Sequence, residues 1–233
     1  MTQTVKHPIS ARWPATEPEK IQLYSYPTPN GVKVSIALEE MGLAYEPHLV
    51  TLADADVKSP DFLALNPNNK IPAIIDPNGP DGAQIELFES GAILIYLAEK
   101  SGKFLSKDPK TRYQTIQWLM FQMGGLGPMF GQLGFFYKCA GAKMEDPTAR
   151  DRYIGEAKRL LAVVDAQLEG RDWIVGEYSI ADMAIAPWLN ALDFYGAKEV
   201  TGYNDLKNVP AYVARFYARP AVARAKNIPA RPE

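Results

Sequence analysis

The spacing of apolar residues differs between the first and second parts of the chain, which predicts two structural regions. In the first region, short apolar segments alternate with segments long enough to form helices. The predicted strands are Ile21–Tyr26, Pro47–Leu52, Ala73–Ile75 and a segment that ends at Phe88. Beyond about residue 110, apolar residues recur with the period of an amphipathic helix. The pattern therefore predicts a mixed α/β region followed by a bundle of helices.

Two helices are predicted within the first region. One follows the turn that ends at Gly31, with apolar residues at i, i+3, i+4 and i+7 and Gly42 as its stop. The other begins at Ser90 and ends near Gly102. Strands and helices thus follow the order βαβ and then ββα, which is the thioredoxin-like arrangement.

Four ranges follow from this organisation. Residues 1–20, polar with three prolines, are predicted to be an irregular arm. Residues 21–102 are the thioredoxin-like domain, residues 103–110 a charged linker, and residues 111–233 an all-helical domain. In the helical domain, Ser179 and Asp182 have the spacing of a capping box, which indicates a role in folding rather than in catalysis.

The composition excludes several classes of function. A net charge of -2 gives no electrostatic basis for binding nucleic acid or an anionic membrane. One cysteine excludes an internal disulfide, and no secretory signal is visible, so a cytoplasmic location is expected. The stretch 113–137 has no charged side chain and is long enough for a membrane span, but glutamines, five glycines and Pro128 interrupt it. A buried helix opened around residues 124–131 to leave space for a ligand fits better.

The chemistry of binding is concentrated between residues 66 and 99. Pro72 heads a strand and donates no hydrogen bond, and a cis Ile71–Pro72 bond would turn the backbone of Ile71 toward solvent, where an extended peptide could pair with it. Glu89 and Ser90 stand at a helix start, where free N–H groups and the dipole favour a carboxylate while Glu89 attracts an ammonium. The residues therefore predict a receptor for a small peptide with a zwitterionic head.

Several motifs, in order across both regions, resemble those of the cytosolic glutathione transferases, most of all the bacterial Nu-class, Ure2-like branch. They are Pro-Thr-Pro-Asn-Gly, Asn-Pro-Asn-Asn-Lys-Ile-Pro-Ala, Phe-Glu-Ser-Gly-Ala-Ile-Leu, Gly-Gly-Leu-Gly-Pro-Met and Tyr-Ser-Ile-Ala-Asp. The resemblance runs from about Ile21 to about Ala225. It implies the glutathione transferase fold, glutathione as co-substrate without a metal, and a homodimer with the site near the subunit interface.

A thioredoxin-like protein that does its own thiol chemistry carries Cys-x-x-Cys at the start of the first helix. This chain has Thr28-Pro29-Asn30-Gly31 there, so the thiol must arrive with the ligand. Thr28 and Asn30 are the candidate donors to a glutathione thiolate, since charge-assisted bonds at a helix start lower a thiol pKa. Two alternatives stay open: Asn30 as a purely structural N-cap, and Tyr26 as the thiol donor or as a wall of the substrate cleft.

Other residues are weaker candidates for the site. Asn69 and Lys70 could contact the glycyl carboxylate of glutathione or be solvated loop residues. By family analogy Arg152 could meet a glutathione carboxylate, its alternative being a surface charge. Gln132, Phe136 and Tyr137 could line the cleft for the second substrate or pack in the core. Cys139 is predicted to be a buried apolar residue, and His7 and His48 lack the spacing of metal ligands.

The resemblance also bears on the type of reaction. Nu-class proteins are associated with glutathione-dependent disulfide reduction beside modest conjugation of electrophiles, so we expect disulfide exchange to exceed aryl-halide conjugation. The partners expected are glutathione or its disulfide and a small disulfide or electrophile. Two other functions remain open: a non-catalytic Ure2-like regulatory or interaction module, and a carrier of hydrophobic ligands.

Overall fold

A computed structural model describes residues 6 to 231 and divides the chain into two compact units. The first unit contains the residues up to Lys103 together with those from Pro220 onward. The second runs from Phe104 to Arg219. Residues from Pro220 onward were assigned by sequence to the helical domain, and the structure groups them instead with the α/β unit.

The first unit is a four-stranded mixed sheet with helices. Its elements are β1 (Ile21–Ser25), α1 (Gly31–Met41), β2 (Tyr45–Leu49), α2 (Asp54–Val57), α3 (Pro60–Leu65), β3 (Ala73–Asp76), β4 (Ile85–Phe88), α4 (Ser90–Ser101) and α10 (Pro220–Ala225). The strand order is β2-β1-β3-β4, with β1 and β2 parallel and the other neighbours antiparallel. The predicted fold class, thioredoxin-like α/β followed by helices, is confirmed.

The strand register decides which chain segments meet. Tyr24, near the end of β1, pairs with Ala73 at the start of β3, and Ala73 pairs with Phe88 at the end of β4. The turns after β1 and β4 and the loop before β3 therefore lie at one end of the sheet. The second strand is Tyr45–Leu49 rather than the predicted Pro47–Leu52, because its parallel pairing with β1 begins at Tyr45.

Helix α1 is buried on more than the single face that its apolar pattern predicts. Every residue from Gly31 to Leu38 is buried, because α4 and α10 both pack against it. Ser35 donates a hydrogen bond to the carbonyl of Ala225 at 3.0 Å, and Arg224 pairs with Glu39 at 2.9 Å. Such contacts fix α10 to the first unit, although its own sequence carries no sign of this partner.

The described part of the N-terminal arm, from Lys6 onward, packs against the sheet unit. Residues Pro8–Ala11 form a 3-10 turn, and Ile9 belongs to the same buried cluster as Tyr24 and Phe62. The indole of Trp13 donates to the carbonyl of Leu49 at 3.0 Å. The arm is therefore an ordered part of the core from these residues onward, while residues 1–5 lie outside the described residues.

The second unit consists of helices. They are α5 (Pro109–Phe121), α6 (Gly127–Tyr137), α7 (Thr148–Gln167), α8 (Ile180–Tyr195) and α9 (Val209–Tyr217). A π-helical segment, Gln122–Leu126, joins α5 to α6 at the place where the glycines predict an opened helix. Ala157, Leu161, Val164 and Leu168 are buried along one seam, three of them on α7 and the last at its C-cap.

The capping box at the start of α8 is confirmed. Ser179 accepts from a backbone N–H of the first turn, and the Asp182 carboxylate accepts from the Ser179 N–H at 2.9 Å. Asp182 also accepts from the Ile174 N–H at 3.0 Å and from the Tyr212 hydroxyl at 3.0 Å. This network ties three segments of the second unit together. Within residues 6–231, no helix is both long enough and apolar enough to cross a membrane.

Candidate functional site

Three predicted binding segments converge at one end of the sheet in the first unit. The turn after β1 carries Thr28 and Asn30, the loop before β3 carries Ile71 and Pro72, and the turn after β4 carries Glu89. Their proximity follows from the pairing of strand ends described above. Segments far apart in sequence thus supply donors and acceptors to one surface.

Thr28 stabilises the start of α1 through both its backbone and its side chain. Its hydroxyl oxygen accepts from the Gly31 N–H at 3.2 Å, and its carbonyl accepts from the Val32 N–H at 3.0 Å. The Thr28 N–H donates to the carbonyl of Tyr26 at 2.7 Å. Because the hydroxyl oxygen accepts from Gly31, the hydroxyl proton is directed away from the helix backbone. Thr28 can therefore cap the helix and donate to a ligand at the same time.

Asn30 does not cap α1 with its side chain. Its backbone is right-handed helical, at φ -78° and ψ -40°, and its side chain makes no capping hydrogen bond. Asn30 therefore occupies the N-cap position of α1, as the structural alternative predicts, but the side-chain acceptor at this helix start is the Thr28 hydroxyl. Asn30 is half-buried at the sheet end where the predicted ligand would bind.

The loop before β3 turns at Ile71 and Pro72. Ile71 is 8% exposed and its bond to Pro72 is cis. Asn66 holds the preceding loop by donating to the carbonyl of Lys70 at 2.6 Å. Asn69 has a left-handed backbone at φ 50°, is half-buried, and leads to the exposed Lys70. The loop thus carries Asn69, Lys70, Ile71 and Pro72 in consecutive positions next to the start of β3.

The turn after β4 has a strained backbone. Glu89 is exposed and has φ 71° and ψ 109°, values that a non-glycine residue rarely adopts. Ser90, the first residue of α4, is only 3% exposed. Strain of this kind concentrates at ligand sites, and here it holds a carboxylate at a helix start beside the buried hydroxyl.

A functional candidate missed from the sequence is Lys33, on the first turn of α1. Its side chain is completely buried, and its ammonium donates to the Ser90 hydroxyl oxygen at 3.3 Å. Burial lowers the pKa of Lys33 to about 7, and the charge of Glu89 acts in the opposite direction. The sequence signal that could have identified it is a lysine placed between two valines, Val32 and Val34, at the start of α1.

The C-terminal segment approaches the turn after β1. Arg231 donates to the carbonyl of Pro27 at 3.1 Å, and its guanidinium lies 5.2 Å from the centre of the Tyr26 ring. A cavity of about 310 Å³ is lined by Pro27, Asn227, Ala230 and Arg231. Arg231 thus places a cation beside Tyr26 and the turn after β1.

Tyr26 is half-buried and packs against the core cluster of the first unit. Tyr24, two residues before it on the strand, is completely buried and stacks on His48 with ring centres 4.6 Å apart. Because Tyr24 fills the core, Tyr26 is the tyrosine of this strand end that meets the solvent. The structure leaves its proposed roles, thiol donor or cleft wall, as predictions.

The remaining predicted site residues belong to the second unit. Gln132, Phe136 and Tyr137 lie on α6, with Gln132 exposed and the two aromatic rings half-buried. Phe136 stacks on Tyr153 of α7, ring centres 5.5 Å apart. Arg152 is an exposed residue of α7.

Cys139 is exposed, so its prediction as a buried apolar residue is wrong. Helix α6 ends at Tyr137, and the Cys139 N–H donates to the carbonyl of Gly134 in its last turn. The chain turns outward there, which takes the cysteine off the packed face of the helix. Periodicity predicts a helix face but not the residue at which the helix stops.

The two histidines serve the packing of the first unit. His48 Nε2 lies 2.7 Å from the side-chain oxygen of Gln22, and His7 Nδ1 accepts from the Ile9 N–H at 3.1 Å. Across the part of the chain that the structure describes, no three histidine, cysteine, aspartate or glutamate side chains are grouped to hold a metal ion.

Comparison with known families matches both units. Residues 19–99 match the family described as the N-terminal domain of glutathione S-transferase, and residues 128–220 match its C-terminal domain. The disulfide-bond oxidoreductase YfcG of Escherichia coli strain K12 is 45% identical over 207 residues, which are 88% of this chain and 94% of that protein.

Two solved structures are similar over nearly the whole chain. A glutathione transferase from Pseudomonas putida, with one glutathione disulfide bound per subunit, is 60% identical, with a TM-score of 0.94 and coverage of 95% of this chain and 97% of that one. A glutathione transferase from Burkholderia graminis, with two glutathione molecules bound per subunit, is 58% identical. Its TM-score is 0.97, and the match covers 100% of this chain and 98% of that one.

Proposed function

Because this chain belongs to the glutathione S-transferase family, we propose that it is an enzyme that binds glutathione and uses its thiolate to reduce small disulfides. Conjugation of electrophiles is the weaker activity. The name of the related oxidoreductase and the glutathione or glutathione disulfide bound in the related structures support this choice.

The single observation that carries the proposal is the convergence of three complementary segments at one end of the sheet. The carboxylate of Glu89 suits the ammonium of the γ-glutamyl head, and Ser90 at the start of α4 suits its carboxylate. The backbone of Ile71 suits the peptide groups in the middle of the tripeptide. Asn69 and Lys70 are the proposed contacts of the glycyl carboxylate.

Thr28 and Asn30 are the proposed catalytic residues because they lie where the ligand sulfur would reach α1. The Thr28 hydroxyl can donate to the sulfur while its oxygen accepts from Gly31. Donors to the sulfur stabilise the thiolate more than the thiol, since charge-assisted hydrogen bonds are the stronger ones. Each unit by which the thiol pKa falls corresponds to about 1.4 kcal/mol.

The reaction uses two glutathiones and needs no sulfur from the protein. The bound thiolate attacks one sulfur of the substrate disulfide, forms a mixed disulfide, and expels the other half as a thiolate that takes up a proton. A second glutathione thiolate attacks the glutathione sulfur of the mixed disulfide. Glutathione disulfide forms, the second half of the substrate leaves as a thiolate that takes up a proton, and two electrons have passed from glutathione to the substrate.

Gln132, Phe136, Tyr137 and Arg152 keep their proposed roles in the second unit, the first three in the second-substrate cleft and Arg152 at a glutathione carboxylate. The role of Phe136 can be tested by substitution, because the stacking of its ring on Tyr153 fixes the ring's position. Phe136→Leu should change the preference among disulfides without changing the affinity for glutathione.

A homodimer in the cytoplasm is the proposed form of the enzyme. Tyr113 and Met120 lie seven residues apart on α5 and are 70% and 47% exposed, so one face of this helix presents apolar side chains to solvent. Sedimentation should give twice the mass of the chain. Tyr113→Lys with Met120→Lys should shift the protein toward a monomer.

Parallel assays on one preparation test the proposed function. Reduction of bis(2-hydroxyethyl) disulfide by glutathione is followed by coupling glutathione disulfide to its reductase, and conjugation is followed with an aryl chloride. We expect a higher kcat/KM for the disulfide. Brisk aryl conjugation without disulfide reduction would contradict the proposed reaction.

Calorimetry with glutathione separates the alternatives from the proposal. Tight binding of glutathione without turnover of either substrate would favour a Ure2-like regulatory module. Binding of apolar ligands with no binding of glutathione would favour a carrier. Neither result is expected from a site that combines Thr28, Ile71 and Glu89.

A further inference from the structure

A lysine is completely buried behind the proposed γ-glutamyl site. Lys33 lies on the first turn of α1, and its ammonium is 3.3 Å from the Ser90 hydroxyl oxygen on the first turn of α4. Lysine is almost never fully buried unless it is paired. Because the side chain has no contact with solvent, the charge of Lys33 cannot serve to keep the protein surface hydrated.

The direction of the hydrogen bond between Lys33 and Ser90 depends on the charge of Lys33. An ammonium has three donors and no acceptor, so the oxygen of Ser90 accepts. The proton of the Ser90 hydroxyl is then directed to another acceptor. A neutral amine at the same place could accept from Ser90, and the hydroxyl proton could turn toward Lys33. The charge of Lys33 therefore decides whether Ser90 presents a donor toward the ligand.

We propose that Lys33 is a positioning residue of the glutathione site. By donating to Ser90, its ammonium holds the hydroxyl as a donor to the carboxylate of the γ-glutamyl head, and it places a buried positive charge behind that carboxylate. This inference rests on the proposed function, and it identifies what sets the affinity of the site for an amino-acid head.

The surroundings of Lys33 make its charge sensitive to a ligand. Helix α1 packs against β1, α4 and α10. Besides Glu89, the titratable groups on these elements are Tyr24, Tyr96, Glu99, Lys100 and Arg224, with Glu39 and Glu40 on α1 itself. Arg224 pairs with Glu39 at 2.9 Å, and Lys100 pairs with Asp76 of β3 at 2.8 Å. The charge of Glu89 acts on Lys33 and favours its ammonium form.

A bound carboxylate would favour the charged form of Lys33. The pKa of Lys33 is about 7 because burial disfavours the ammonium, and a carboxylate nearby raises it again. Binding then takes up a proton wherever the free protein has a neutral Lys33. The affinity is highest below pH 7 and falls as the pH rises from the pKa of the free form toward that of the complex.

The test uses S-methylglutathione, which lacks an ionisable thiol, so that proton exchange reports on the protein and the amino-acid head. Calorimetry between pH 6.0 and 8.0, in buffers with different ionisation enthalpies, gives both the affinity and the protons taken up. Wild type should take up protons above pH 7, and its affinity should decline in that range. Uptake of no protons would overturn the proposal without any variant.

Lys33→Met keeps the length of the side chain and removes the charge. At pH 6.0 it should bind S-methylglutathione about ten- to a hundredfold more weakly, the effect of losing a charge-assisted hydrogen bond. Its affinity should change little with pH. Lys58→Met, which removes an exposed lysine of the same unit, is the matched control and should behave as wild type.

A double-mutant cycle shows whether Lys33 acts through Ser90. If it does, Lys33→Met in a Ser90→Ala background should cost much less affinity than in wild type. Equal costs in both backgrounds, or wild-type affinity in folded Lys33→Met, would overturn the proposal. No binding of S-methylglutathione or glutathione by wild type would instead overturn the proposed function, so the two failures are distinct.

Discussion

The hydroxyl oxygen of Thr28 lies 3.2 Å from the backbone nitrogen of Gly31 and accepts its hydrogen bond. One side chain therefore performs the capping that a residue directly before the helix usually supplies. Because the oxygen is engaged by the backbone, the hydroxyl proton remains available to a thiolate at the helix start. The stability of the turn and the proposed catalysis thus depend on the same oxygen.

Replacing Thr28 separates these two roles. Thr28→Ala should lower the free energy of unfolding by about 0.5–2 kcal/mol through loss of the cap. It should also raise the pKa of the bound glutathione thiol, measured by thiolate absorbance during a pH titration. Thr28→Ser keeps the hydroxyl and should keep the low thiol pKa. A thiol pKa unchanged in Thr28→Ala would remove Thr28 from the catalytic residues.

Asn30 and Ser90 should show opposite kinetic effects. Asn30→Ala removes a proposed donor to the thiolate, so kcat for disulfide reduction should fall by about tenfold or more with little change in glutathione affinity. Ser90→Ala removes a proposed contact of the γ-glutamyl head, so the affinity should weaken first. Steady-state kinetics together with calorimetry measure both quantities, and the reverse pattern would exchange the two assignments.

The sequence predicts those parts of the site that depend on local chemistry. The helix start at Ser90, the turn before Gly31 and the loop before Pro72 each carry turn or capping residues that mark their structure. Strand pairing then brings them together, and the order of strands and helices was sufficient to predict that sheet. Local signals and the fold agree at these positions.

The missed features depend on contacts between distant segments. Lys33 is a charged residue on an amphipathic helix, and a helical pattern places such a lysine on the solvent side until α4 and α10 are known to cover it. The six residues of α10 do not specify which unit the helix joins. Arg231 likewise reaches Pro27 across most of the chain length, which no local pattern specifies.

Gly31 should be intolerant of any side chain. An added Cβ would lie 1.9 Å from the carbonyl oxygen of Tyr26 and 2.6 Å from the hydroxyl oxygen of Ser25. Gly31→Ala should therefore displace the turn that carries Thr28, lowering both the melting temperature and the rate of disulfide reduction. The control is Gly155→Ala in α7, where an added Cβ meets nothing within 4 Å.

In that control, alanine should stabilise the helix by roughly 0.5–1 kcal/mol because it loses less conformational entropy on folding than glycine. If the contact with Tyr26 matters, thermal unfolding under one set of conditions should show a lower melting temperature for Gly31→Ala and a higher one for Gly155→Ala. A rise in melting temperature for both would show that the turn can move to admit a methyl group.

Asp182 gives a prediction about pH. Burial raises the pKa of this carboxyl to about 6, although N–H groups of Ile174 and Ser179 and the Tyr212 hydroxyl act to lower it. The folded-state value exceeds the ordinary 3.8, so the folded protein binds the proton more tightly than the unfolded chain does. The stabilisation from this proton is fully present below about pH 4 and is lost as the pH rises through about 6.

Asp182→Asn removes this titration while keeping one acceptor oxygen for the capping box. The free energy of unfolding of wild type minus that of the variant should therefore decrease as the pH rises from 4 to 6.5, by on the order of 2 kcal/mol. Denaturant unfolding at several pH values measures the difference. Asp108→Asn is the contrast, because hydrogen bonds from Thr111 lower the pKa of this exposed N-cap and its pH effect should have the opposite sign. A pH-independent difference for Asp182→Asn would mean that the hydrogen bonds from Ile174, Ser179 and Tyr212 outweigh burial and keep the carboxylate ionised throughout this range.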